Sequence, residues 1–377
     1  MKSSKNLVTM LASHWHHFDD KTLTTKGVNY PHPPIVAIDS FEEYCSVTNR
    51  IIKSWRSYAK KRQDRVANRS DQFCERYVGE ILPWFRGQDN ASHHLTPSVA
   101  RLLKKFSALY NDINIVEQYF QERFIRFARP YLTGINPQDI VEWNYIMRHH
   151  EVPSRLLDWT KGSLVGLFYA VHNVIENKYM TPSPQDQEDQ DCAVWMLEPR
   201  RLMEMSTSKV LPNGCRNIAS QESRIKALRK LYFNDFMQAD EENRIWRIFV
   251  DGLTEVIPYD DEIRDYPMPL IPSHISRRLE SHLSRFTLHS LRSSDSTVNN
   301  DLPEKDTSLL KFAEKAFNQD EGYWYLVKLV IPAAKRAEIA RSLRMTGVSD
   351  MNFSQDLDGL SKELKFRFHL GGDDDAI

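Results

Sequence analysis

The ten residues Glu151–Thr160, EVPSRLLDWT, constrain this chain more than any other short run. Pro153 biases Val152 toward an extended backbone and turns the segment away from helix. Behind it, Leu156 and Leu157 ask for burial, while Arg155, Asp158 and Trp159 bring two charges and an indole into the same run. A plain buried strand carries branched aliphatic residues at such positions, and charge placed there must be paired or face a cavity. With strand alternation, Arg155, Leu157 and Trp159 share one face, and Leu156, Asp158 and Thr160 the other. Helix capping accounts for Asp158 but leaves Arg155 and Trp159 unexplained. The run therefore reads as the rim of a site.

The segment expected to face it is WFRGQ, Trp84–Gln88. Arg86 sits between bulky Phe85 and Gly87, a glycine able to take positive φ and let a ligand approach the backbone. A guanidinium presented there forks naturally onto a phosphate or carboxylate. The competing reading pairs Arg86 with an internal acid, Asp158, as a tie between two segments.

Around these segments the pattern alternates between helix and strand, and predicts an α+β fold: a mixed sheet of short strands surrounded by many helices. Residues 1–40 form a polar lead-in, partly extended because of the prolines in NYPHPPIVAIDS. A helical segment over 41–79 follows, with Asp39 or Ser40 as N-cap. The main domain spans 80–368, with flexible insertions near 181–191 and 290–306 and an acidic tail at 369–377. Within it, Val116, Phe120, Phe124 and Phe127 mark one apolar helical stripe. The helix SLVGLFYAV carries Gly166 and Ala170 four apart, a spacing that permits close packing. PMPLIPSHISRRLESHLSRFTLHS reads as a proline-punctuated entry, a helix and a short strand. That helix places His274, Arg278, His282 and Arg285 on one stripe.

Composition narrows the functional classes. The balance of 50 Lys+Arg against 51 Asp+Glu gives no global basic field, which disfavours non-specific nucleic-acid coating and leaves only a local patch open. No run approaches the ~20 apolar residues of a membrane span, and the four scattered cysteines suit a reducing cytoplasm. The histidines at 14, 16, 17, 93, 94, 149 and 150 lack metal-ligand spacing and HExxH is absent, so no metal is expected. GxGxxG, P-loop and GxSxG motifs are missing too.

Taken together, the segments resemble the FRG-domain family over roughly residues 80–368. Phe85-Arg86-Gly87 is similar to its name-giving motif, LTPSVAR to its L-x-P-S-x-x-R, and HHEVPSRLLDWT to its QHYGLPTRLLDWT. ISRRLESHLSRFTLH and MTGVSDMNFSQDLDGLSKELK resemble its later segments. The chain departs from the pattern at Arg148 and His282, where the family has glutamines, and at Glu151 and Ser284, where it has glycines. The resemblance implies a bacterial defence or toxin-like effector, with a distant likeness to ADP-ribosyltransferases and an ADP-ribosyltransferase-like core. On that likeness NAD is the cofactor, and Arg86, with Phe85, Gly87 and Gln88 around it, binds its pyrophosphate. Arg155, Trp159, Thr160 and Arg278 complete the cofactor set, and Asp158 and His282 are the catalytic candidates. The usual catalytic glutamate has no counterpart. Two other readings stand beside it: a non-catalytic nucleic-acid or nucleotide-binding module using Arg86, Arg155 and Arg278, and a scaffold subunit held by an Arg86–Asp158 tie.

Overall fold

The computed structural model describes residues 33–67, 83–106, 113–132, 140–172, 190–207, 266–270, 283–289, 308–319, 323–353 and 357–369. The strands are β1 (Ile35–Ala37), β2 (Trp84–Gln88), β3 (Leu156–Thr160), β4 (Cys192–Leu197), β5 (Met268–Leu270), β6 (Ser284–Leu288) and β7 (Leu326–Ile331). The helices are α1 (Phe41–Ala67), α2 (Ser98–Phe106), α3 (Ile113–Ala128), α4 (Ile140–His149), α5 (Ser163–Val171), α6 (Pro199–Thr207), α7 (Ser308–Gln319), α8 (Ala333–Met345), α9 (Asp350–Phe353) and α10 (Leu357–His369). Strand pairs are both parallel and antiparallel, so the fold is mixed α and β with a mixed sheet. The chain divides into two compact units: Met1–His93, Thr160–Glu198 and Ala313–Ile377 make the first, His94–Trp159 and Pro199–Phe312 the second.

In the first unit the strand order is β1-β7-β4-β2. β1 runs parallel to β7, while β7 with β4 and β4 with β2 are antiparallel. Thr160, the last residue of β3, pairs with Phe85 of β2. Helix α5 lies on β2 and β4, and α8 packs against α5 and α1. At the start of α1 the cap is Ser40, whose Oγ accepts from the Glu43 N–H at 3.1 Å, while Glu43 Oε2 accepts from the Asp39 N–H at 2.7 Å. Helix α8 stops where Gly347 takes φ 84°, as its sequence position suggests.

The contact of α5 with β2 explains both glycines. A Cβ on Gly87 would lie 2.2 Å from the Gly166 carbonyl oxygen and 2.5 Å from the Ala170 nitrogen. A Cβ on Gly166 would lie 2.7 Å from the Phe85 Cβ. Gly87 keeps an ordinary backbone angle, so its smallness serves the helix above it and not a left-handed turn. Phe85, Gly87 and Val194 therefore face α5. Alternation sends Arg86, Gln88, Trp195 and Lys328 to the opposite face.

In the second unit α2 packs on α3 through Val99 and Val116, with Leu102 and Phe120 against them. Phe124 meets Trp143 of α4 edge to face, and Tyr145 stacks on Phe286 of β6. β3 lies beside β6, and β6 pairs antiparallel with β5. Three expectations change here. Arg285, expected on a helical stripe with His274, lies on strand β6. Phe127 leaves the apolar stripe and is 60% exposed, with the Arg126 guanidinium 5.6 Å from its ring centroid. The stripe ends at Phe124 because α3 gives way to a 3-10 turn at Arg129–Tyr131. Met268–Leu270, read as a proline-punctuated entry, is a buried strand, since Pro269 sits on β5 at the end of the strand order, where an edge tolerates a missing N–H. The insertion near 290–306, all but the last two residues of that near 181–191, and the helix bearing His274 lie outside the described residues.

Among the described side chains of helix α10, the leucines face outward. Gly359 and Glu363 are buried, whereas Leu357, Leu360 and Leu364 are exposed. The inward carboxylate is held by Arg344 of α8, 3.8 Å away, which also binds Asp350 at 2.6 Å. Burial raises the Asp350 carboxyl above its ordinary range, with Arg344 working against that shift.

Substituting Gly87→Ala should lower unfolding free energy by roughly 3 kcal/mol, the upper end for overpacking, because the obstructing atoms are backbone. Chemical denaturation measures this directly, and an unchanged midpoint would contradict the packing described.

Candidate functional site

The described site candidates lie on β2 (Phe85, Arg86, Gly87, Gln88) and on or just before β3 (Arg155, Asp158, Trp159, Thr160), and the two strands treat their charges differently. In the second unit, Arg155 immediately precedes β3 and is 0% exposed. Its Nε donates to Glu117 Oε2 at 2.6 Å and its backbone N–H to Glu117 Oε1 at 2.9 Å. Glu117 projects from α3, one residue from Val116, so a single charge inside an apolar arc was the sequence signal for this pair. A ligand would reach Arg155 only by displacing that carboxylate. Trp159 is buried, and its Nε1 donates to Thr287 Oγ1 at 3.0 Å. Thr287 lies 2.9 Å from His289 Nε2, and His289 Nδ1 lies 3.2 Å from Ser308 Oγ. This polar chain satisfies the indole and imidazole inside the core.

Asp158 faces the other way and stays partly open. Arg148 Nε donates to Asp158 Oδ1 at 2.9 Å and to Oδ2 at 2.8 Å, and its Nη2 also binds Oδ2. The Nη1 donates to Ser98 Oγ at 3.1 Å, and the Ser154 N–H donates to the same hydroxyl at 3.1 Å. Desolvation works against the Arg148 charge, but the Asp158 carboxylate outweighs it and holds the guanidinium above its ordinary pKa. Partial desolvation and the neighbouring Arg148 charge lower that of Arg101. Arg148 thus turns a position where the family pattern has glutamine into an ion pair on the candidate carboxylate.

Glu151, at the family's glycine position, takes φ 61°. The Val152 N–H donates to the Met147 carbonyl at 2.9 Å, closing the end of α4 around that left-handed residue. Leu283, next to Ser284 at the second such position, takes φ 51°. Ser284 itself keeps an ordinary φ, so only the Glu151 position has the left-handed geometry that suits glycine.

The first unit holds the FRG motif. Arg86, opposed across the ladder to Trp195, which is opposed to Lys328, belongs to one cross-strand row on the face away from α5. The row continues to Ile35 on β1. On this face Arg86, Lys328, Val330 and Ile35 are half-buried and Ala37 is exposed, while Trp84, Gln88, Ala193 and Trp195 are buried, so it is open only in part. Trp195 Nε1 donates to Gln88 Oε1 at 2.8 Å, fixing the indole. Lys328 Nζ lies 5.0 Å from the Trp195 ring centroid and donates to the Ala91 carbonyl. Burial lowers the Lys328 pKa. Sequence reading missed Lys328, although a lysine at the centre of LVKLVI was the signal for it. Thr160 Oγ1 accepts from the Gly162 N–H at 3.1 Å and so shapes the turn into α5. Cys192 is fully buried with its thiol pushed up to about 12 by burial, which leaves it inert as a nucleophile. Arg278 and His282 lie outside the described residues. Among the described residues, no group of three His, Cys, Asp or Glu could hold a metal ion, and no helix is long and apolar enough to cross a membrane.

A mixed α/β protein with a half-buried arginine on the sheet face away from α5 is what fold and site define together. The family model of the FRG domain matches residues 83–179, which supports the FRG family for the stretch from β2 through α5. The later segments that extend the resemblance to residue 368 lie beyond that match. No curated protein and no solved structure matches the chain.

Two stability measurements check this geometry. Glu117→Gln strands the Arg155 guanidinium and should cost about 3–5 kcal/mol by denaturant titration. Glu151→Gly relieves the left-handed strain and should raise stability by roughly 1 kcal/mol in the same assay.

Proposed function

We propose that the protein binds a phosphate-bearing small molecule of the NAD or ADP-ribose class, with Arg86 as the anion clamp. One observation carries the reading. The FRG motif divides its side chains, Phe85 and Gly87 seating α5 while Arg86 stands half-buried on the opposite face of the sheet. A guanidinium fixed on a strand between two packed neighbours is preorganised for an oxyanion. With the FRG-domain match and the distant likeness of the motif order to ADP-ribosyltransferases, the reading extends to ADP-ribosyl transfer by a bacterial defence or toxin-like effector. In that extension Asp158 and His282 serve the transfer step, and Arg148 orients the Asp158 carboxylate. Because both Asp158 oxygens already accept from Arg148, the carboxylate fits an electrostatic role beside developing positive charge better than open proton abstraction.

A scaffold reading has its own support, since Arg155–Glu117 and Arg148–Asp158 are internal ion pairs on either side of β3. It predicts that Asp158→Asn lowers the melting temperature and leaves ligand binding untouched.

Calorimetry of the full chain with NAD and ADP-ribose tests the main reading. Saturable binding that Arg86→Ala weakens about 10- to 100-fold is expected, the loss of one or two charge-assisted hydrogen bonds. Absence of binding into the millimolar range would remove it. Release of nicotinamide from NAD, abolished by Asp158→Asn, separates a transferase from a binding module.

A further inference from the structure

Lys328 is an ammonium placed where a cation is costly. It occupies the third position of β7, half-buried, between Trp195 on β4 and Ile35 on β1. Its partners are the Ala91 carbonyl and the face of the Trp195 ring, and among the described residues no carboxylate lies within ion-pair distance of it. Arg344, similarly sheltered in the same unit, has Asp350 and Glu363 beside it. A carbonyl and an indole face orient an ammonium without neutralising it. The position is therefore built to present positive charge along a fixed direction.

From its place in the row we infer that Lys328 is the second cation of the Arg86 site and that the pair grips the two phosphates of a diphosphate-bearing ligand over the Trp195 edge. Arg86 and Lys328 stand on the same face two strands apart, so their backbones are separated by roughly 10 Å. Two long cationic side chains rooted at that spacing reach a pyrophosphate from both ends, whereas a single phosphate engages one of them. Gln88, hydrogen-bonded to the Trp195 Nε1, keeps the indole between them from rotating. The inference rests on the Arg86 clamp proposed above and adds the residue that selects a diphosphate over a single phosphate. The depressed basicity of Lys328 gives it a signature: an anion beside the amine restores its proton, so binding in alkaline buffer takes up protons from solution.

The test is calorimetry with inorganic pyrophosphate, orthophosphate and ADP-ribose on the full chain and on Lys328→Met, Lys328→Arg and Arg86→Ala. Lys328→Met removes an uncompensated cation and should keep or raise the melting temperature, so loss of binding in it is not loss of fold. Expected are tighter binding of pyrophosphate and ADP-ribose than of orthophosphate, a tenfold or greater weakening in Lys328→Met, and retained affinity in Lys328→Arg. Proton uptake, read from the dependence of heat on buffer ionisation, should be present in the native protein and absent in Lys328→Arg. Binding lost in Arg86→Ala but native in Lys328→Met overturns the role of Lys328 and leaves the clamp standing. The reverse pattern supports an anion site centred on Lys328 and removes the Arg86 clamp. Orthophosphate binding as well as pyrophosphate overturns the diphosphate assignment, and no binding of any probe by the native protein overturns both.

Discussion

The contact between Gly87 and the α5 backbone sets the polarity of the first unit. Helix and strand approach so closely that neither Gly87 nor Gly166 has room for a methyl group. Once Phe85 and Gly87 are committed to that contact, the pleat leaves Arg86 only the opposite face. Register then carries the consequence outward: Trp195 and Lys328 fall on the same face because each is opposed to its neighbour across the ladder. A steric constraint on two glycines thereby becomes a line of cation, indole and cation.

The second unit handles its charges in a contrasting way. Arg155 is withdrawn from solvent and neutralised by Glu117, which also takes the Arg155 backbone N–H. Such a pair contributes less to stability than its geometry suggests, since desolvation offsets attraction, but removing one partner is costly. It fixes α3 against the start of β3. Asp158, three residues on, is held by Arg148 and keeps part of its surface open. Alternation places these two charges on opposite sides of one strand, one serving the core and one remaining accessible.

Much of the architecture was legible in local sequence. Pro153 and the leucines at 156 and 157 announce β3, and the run CAVWML announces β4. Ser40 with Glu43 announces the start of α1, and Gly347 the end of α8. Phe127 shows the limit of periodicity: the spacing matches the stripe, but among the described residues no neighbour covers that turn of α3. The leucines of α10 show it again, because Arg344 recruits Glu363 inward and rotates the apolar residues out. In both cases the partner surface comes from distant sequence, which a helical pattern does not encode.

By itself, the sequence determined where strands such as β2, β3 and β4 and the start of α1 form, and that charges inside EVPSRLLDWT require partners. Those follow from backbone preference, alternation and the cost of burying charge, all properties of neighbouring residues. Only the tertiary structure decided which partner each charge received: Glu117 for Arg155, Arg148 for Asp158, and for Lys328 an indole face and a carbonyl without a carboxylate. It also decided that the glycine of the motif yields to a helix. Pairing and close approach depend on strand order and on which element lies overhead, and these are fixed by contacts between residues far apart in the chain.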